Sequence, residues 1–111
     1  MKHYGMVIKV KREALGLTQA ELGRLASITG PTISSIESGR EVSELVLKSV
    51  KYAITNLEDA MSREEKDKYL FKYYIGTAEL EDDPNRKMLA LNKANISLGF
   101  IMKNLIEQMN G

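Results

Sequence analysis

With 111 residues, 43% of them hydrophobic and 28% charged, the chain has the balance of a folded soluble protein and is too short for most enzyme architectures. It holds no cysteine and a single histidine, His3, which rules out a disulfide framework, a thiolate metal site and a histidine cluster. The net charge of +1 is spread unevenly: residues 1–56 carry eight Lys/Arg against five Asp/Glu, and residues 57–111 carry eight against ten, so the basic excess lies in the first half.

Taken in chain order, Val7, Val10, Lys11 and Ala14 recur at helical spacing, and Gly16 stands where a helix ending near Leu15 needs a residue able to adopt positive φ. Thr18 followed by Glu21 forms a capping box, which starts a second helix at Gln19 and carries it to about Ala26. Thr29, with Pro31 in the first turn, caps a third helix over about 30–38, ended by Gly39. Ser43 caps a fourth, whose apolar stripe is Leu45, Val46, Ser49, Val50, Ala53 and Ile54.

Two further capping boxes, Thr55 with Glu58 and Ser62 with Glu65, predict a short helix over 57–61 and a longer one over 63–79. The longer helix buries Leu70, Phe71, Tyr74, Ile75 and Ala78, and Tyr69, Tyr73 and Tyr74 read as core aromatics at helical spacing. Glu81, Asp82, Asp83 and Pro84 then form a breaker that reads as a solvated linker, lacking the alternating spacing and glycine of a calcium loop. A last helix runs from about 85 to 109, with Met88, Leu91, Ala94, Leu98, Ile101 or Met102, Leu105 and Met109 on one stripe and Leu89, Ile96 and Phe100 outside it. No segment alternates with period two, so the fold class is all-α.

The stretch from Arg12 to Gly39, REALGLTQAELGRLASITGPTISSIESG, resembles the Cro/repressor family of phage and bacterial regulators, also called the xenobiotic-response-element type. The resemblance covers roughly residues 7–54 and rests on LGLTQ entering the second helix, on Leu22 and Ile28, on the Thr32-Ile33-Ser34 core and on Ile36-Glu37 followed by Gly39. It implies a lambda-repressor-like helix-turn-helix bundle, here followed by a C-terminal helical hairpin. The spacing alone lets Leu17, Leu22, Leu25, Ile28, Ile33 and Ile36 converge across a tight turn.

Carried over residue by residue, the resemblance makes Arg12 and Glu37 a structural ion pair and Gln19 a phosphate-binding amide at the start of the second helix. Its base-reading positions fall on Gly30, Pro31, Thr32 and Ser35, with Thr29 and Ser34 beside them and Arg40, together with Lys9 or Lys11, as phosphate contacts. Here the sequence departs from its relatives. Glycine and proline offer nothing to a base edge, so direct readout rests on the hydroxyls of Thr32, Ser34 and Ser35 and on a thymine-methyl contact, with DNA shape contributing the remainder.

The expected division is a DNA-binding domain over 1–56 and a dimerisation region over 57–111, in which Leu91, Leu98, Ile101 and Leu105 pair with a second copy. Gly99, unfavourable in mid-helix, fits a place where another backbone approaches. The expected function is a sequence-specific regulator, a repressor, that binds double-stranded DNA as a homodimer on a pseudo-palindromic operator. It needs no cofactor or metal, is not an enzyme and, lacking a long apolar segment, belongs in the cytoplasm and not in a membrane. The alternative is a protein-binding module on the same fold: an antirepressor, an inhibitor or an autoregulating antitoxin.

Overall fold

A computed structural model describes residues 3–111, and among them the regular structure consists of six α-helices. These are α1 (Tyr4–Ala14), α2 (Gln19–Leu25), α3 (Gly30–Glu37), α4 (Glu44–Asp59), α5 (Arg63–Leu80) and α6 (Pro84–Asn110). The chain divides into two compact units, one ending at Ala60 and one running from Met61 to Gly111.

In the first unit α1 packs on α3 and α4, and α2 packs on the same two helices. Ile8, Leu22, Ile33 and Val50, one from each helix, are the most deeply buried large side chains, joined by Ala26, Ile36, Ala53 and Ile54. Removing this much apolar surface from water is the main force holding the four helices together, because α1, α2 and α3 are too short to be stable alone. Ile8, not Val7, is the α1 residue at the centre.

Two expected core residues lie outside. Leu25 is exposed, because α2 turns Leu22, Gly23 and Ala26 inward and places Leu25 on its flank. Leu45 is exposed as well; the inner face of α4 runs through Val46, Leu47, Val50, Ala53 and Ile54.

The junctions follow from local chemistry. Thr18 and Glu21 form the reciprocal box, with the Thr18 N–H donating to Glu21 Oε1 at 3.0 Å and the Glu21 N–H donating to Thr18 Oγ1 at 3.1 Å. Ser62 and Glu65 do the same at 3.2 and 3.1 Å. The expected box at Thr55 and Glu58 is absent, and with it the short helix over 57–61. No glycine or proline precedes Thr55, so α4 continues to Asp59, and the Glu58 carboxylate pairs with Lys11 of α1 at 3.3 Å. The boundary between units accordingly follows Ala60 and not Asn56.

Both boxes bear on the titration of their glutamates. The Glu21 carboxyl is held below the ordinary glutamate value by the Thr18 N–H first and the Thr18 hydroxyl second, and Glu65 by the Ser62 hydroxyl and then the Ser62 N–H. A depressed folded-state pKa stabilises above the unfolded value and loses that contribution as pH falls through the folded one. Carboxyl NMR titration is expected to place both midpoints below about 4.3, the free side-chain value. Glu21→Gln should flatten the acid limb of the stability curve.

Gly16 and Gly39 adopt φ of +74° and +84° and close α1 and α3, each in a conformation that other residues resist. Ser27, in the turn between α2 and α3, takes φ of +59° without being glycine. The left-handed conformation costs an ordinary residue about 1–2 kcal/mol, and part of that returns on substitution because glycine loses more entropy on folding. Ser27→Gly is therefore expected to stabilise the unit by up to about 1 kcal/mol in urea titration; a loss of stability would show that the Ser27 side chain holds the turn.

The second unit is a hairpin in which α5 packs along α6. Asp83 caps α6, accepting from the Asn85 N–H at 2.9 Å, and Pro84 occupies the first turn. The residues of α6 turned toward α5 are Ala90, Ala94 and Ser97, continued by half-buried Ile101 and Asn104 and closed by Gln108, whose amide donates to Glu64 Oε1 at 3.1 Å. Ile101 thus belongs to the hairpin and not to the outward stripe assigned to dimerisation. Tyr69 is buried, and its ring and that of Tyr73 stack at 6.4 Å.

Candidate nucleic-acid interface

The two helices of the motif meet at their starts. A Cβ built on Gly30 would stand 3.4 Å from Ala20 Cα, ordinary van der Waals contact, so the first residue of α3 lies against the second residue of α2. Gly23 seals the other side: a Cβ there would lie 2.7 Å from the Ile28 carbonyl oxygen, so the backbone of the turn closes directly on α2. From this junction α3 runs with Ile33, Ile36 and Glu37 turned inward.

Its other side is open. Thr29 and Pro31 are exposed, and Gly30, Thr32, Ser34 and Ser35 are half-buried. The Thr29 hydroxyl accepts from the Thr32 N–H at 3.3 Å and lies 2.8 Å from the Thr32 hydroxyl, so the two threonines order each other. The Ile33 N–H goes to the Thr29 carbonyl, and Pro31 has no N–H. Arg40 follows the helix and is exposed, with its N–H bonded to the Ser35 carbonyl at 3.0 Å. One edge therefore presents hydroxyls, a proline ring and a guanidinium.

Arg12 and Glu37 hold this edge from behind. Arg12 Nε donates to Glu37 Oε2 at 2.6 Å, a second guanidinium nitrogen to Oε1 at 3.0 Å, and the third to the Leu17 carbonyl at 2.8 Å. The side chains are only 12% and 5% exposed, so a bidentate, nearly dry pair ties α1 to the end of α3 and to the loop before α2. The hydrogen bonds that Arg12 donates to Glu37 raise the Arg12 pKa above its ordinary value against the opposing effect of burial.

Sequence reasoning missed a third member of this group. The Gln19 amide donates to Glu37 Oε1 at 3.2 Å, so Gln19, half-buried at the start of α2, is positioned by the ion pair. The signal was present in the side-chain inventory: an amide carries two N–H donors, and one can serve Glu37 while the other faces outward.

A compact four-helix unit with a second and third helix crossing at a tight turn, and with the third exposing its N-terminal half, is the architecture of a helix-turn-helix DNA-binding domain. Residues 8–50 match the family model described as helix-turn-helix. Over that segment the chain is similar to DNA-binding helix-turn-helix domains, consistent with the Cro/repressor type. The hairpin of α5 and α6 lies outside the match. No curated protein and no solved structure matches the chain. Among the described residues no helix is long and apolar enough to cross a membrane.

Proposed function

We propose that the protein is a transcriptional repressor that binds a pseudo-palindromic operator as a homodimer, setting α3 of each copy into the major groove. The observation that carries this reading is the outward side of α3, where the cap Thr29 and Pro31 are exposed and Thr32 and Ser35 are half-buried, over a core closed behind them by Ile33, Ile36 and Glu37. Gln19 and Arg40 flank that edge and contact phosphates, while the hydroxyls and the proline ring meet base edges and thymine methyls. Two copies would read half-sites about one helical turn, roughly 34 Å, apart or at a multiple of it.

Selection of binding sites from random-sequence DNA, at a stated salt concentration, tests the reading. It is expected to enrich a palindromic motif. Thr32→Ala and Ser35→Ala should then alter base preference by about 1 kcal/mol or more at the affected positions, whereas Gln19→Ala should weaken all sequences about equally. Uniform loss in all three variants would contradict the assignment of roles.

A protein-binding module is the second reading, favoured by one observation: Gly30 and Pro31 bring no side-chain donor or acceptor to the place where relatives read bases. Failure to enrich any motif at low salt would select it.

A further inference from the structure

The outward surface of α6 carries a second seam distinct from the one that meets α5. Met88, Leu91, Asn95, Leu98, Met102, Leu105 and Met109 step by alternating intervals of three and four, the heptad spacing of a coiled coil, and every one of them is exposed. At about 100° per residue this line is turned roughly 100° from the line through Ala90, Ala94, Ser97, Ile101, Asn104 and Gln108. A second helix can therefore pack on it without displacing α5.

In heptad terms leucine fills the three d positions, 91, 98 and 105, and the a positions hold three methionines and Asn95. The open flank of the seam, the e positions Asn92, Gly99 and Ile106, holds no charge, and on the g side Ala94, Ile101 and Gln108 belong to the line that meets α5; Lys87 is the single charge at an e or g position, and the other four charged residues of α6 lie on its far side. A charged partner would find almost nothing to match, and two copies of α6 meet with almost nothing to repel. Gly99, at an e position, has no atom within 4 Å of where a Cβ would stand, which leaves room for a partner backbone.

We propose that this seam is a parallel, in-register zipper between α6 of two copies of the chain, with Asn95 facing Asn95 of its copy; the proposal rests on the homodimer reading. Asn95 decides both the occupant and the direction. In a parallel pair a positions face a positions, so the two amides bond to each other and the leucines stack in three layers. In an antiparallel pair a positions face d positions, Asn95 meets Leu98, and the amide is buried without a partner at a cost comparable to a lost hydrogen bond.

The chain's lack of cysteine makes the test direct. Sedimentation equilibrium on the full chain should give a dimer. Leu98→Glu should weaken dimerisation at least about 100-fold by placing a charge in the seam, while Ile96→Glu, also exposed but off the seam, should leave it unchanged; both variants should keep the helical circular dichroism of the parent. In an equimolar mixture of Met88→Cys and Leu105→Cys chains, oxidation should give 88–88 and 105–105 disulfides. Mixed 88–105 disulfides alone would overturn the parallel arrangement. A wild-type dimer insensitive to Leu98→Glu would overturn the zipper and leave the dimeric regulator standing, whereas a monomer at about 100 µM would overturn both.

Discussion

Replacing Glu37 by alanine is expected to cost the first unit about 3 kcal/mol, because it leaves the little-exposed Arg12 guanidinium with only the Leu17 carbonyl at 2.8 Å and the Glu13 carboxylate at 3.7 Å. The loss has three parts that act together: the bidentate pair, the fixed position of the Gln19 amide, and the tether from Arg12 to the Leu17 carbonyl. A domain of this size has about 5–15 kcal/mol in total, so the variant should unfold at markedly lower urea concentration. A double replacement, Arg12→Met with Glu37→Leu, removes both charges and should recover most of the stability, since apolar groups of similar volume tolerate such a site. If Glu37→Ala alone proved mild, the pair would be wetter than its exposure indicates. The raised Arg12 pKa adds a pH statement. Such a group stabilises below its unfolded value and loses the contribution only as pH rises beyond it, so the pair should hold across the whole neutral range.

Ile33→Ala is expected to cost about 2–5 kcal/mol, the range for deleting a fully buried aliphatic group from a core that cannot collapse around it. Ile33 lies between Thr32 and Ser34 and anchors the helix whose other side faces outward, so its loss removes the surface against which α3 is held. Urea titration would measure the stability. DNA binding at low temperature, where the variant remains folded, should show weaker affinity with unchanged base preference. Thr32→Ala, one residue away, should do the reverse. That opposition between neighbours separates a residue that holds the helix from one that reads with it.

How much of this was legible in the sequence depended on the kind of interaction. Caps were legible because their chemistry is local: Thr18 with Glu21, Thr29, Ser43 and Ser62 with Glu65 each sit within one turn of the helix they start. The Thr55 box misled because the same local pattern also fits a helix interior, and the deciding contact, Glu58 to Lys11, comes from a residue 47 positions away. Leu25 misled for a similar reason, since apolar spacing cannot say which flank of a seven-residue helix faces the core. The Arg12 and Glu37 assignment came from the family resemblance. Gln19 donating to Glu37 was hidden, because an amide at a helix start looks solvated until its neighbour 18 residues on is known to be buried.

In α6 the composition revealed an excess of apolar residues but not its division. Ala94 and Ile101 read as part of one stripe with Leu91 and Leu98, whereas the packing on α5 claims the first two and leaves the others outside. Two heptad lines offset by about a quarter turn look like one broad face until one of them is occupied.

The contact between Gly30 and Ala20 sets where this domain can acquire new specificity. A side chain at position 30 would start from a Cβ in ordinary van der Waals contact with Ala20, so it could extend only away from α2. Pro31 is exposed, and Thr32 and Ser35 are half-buried. A redesigned variant with a glutamine or arginine in place of Pro31 or Ser35 would place a longer polar side chain on the outward side of α3 and leave the packing of Gly30 on Ala20 unchanged.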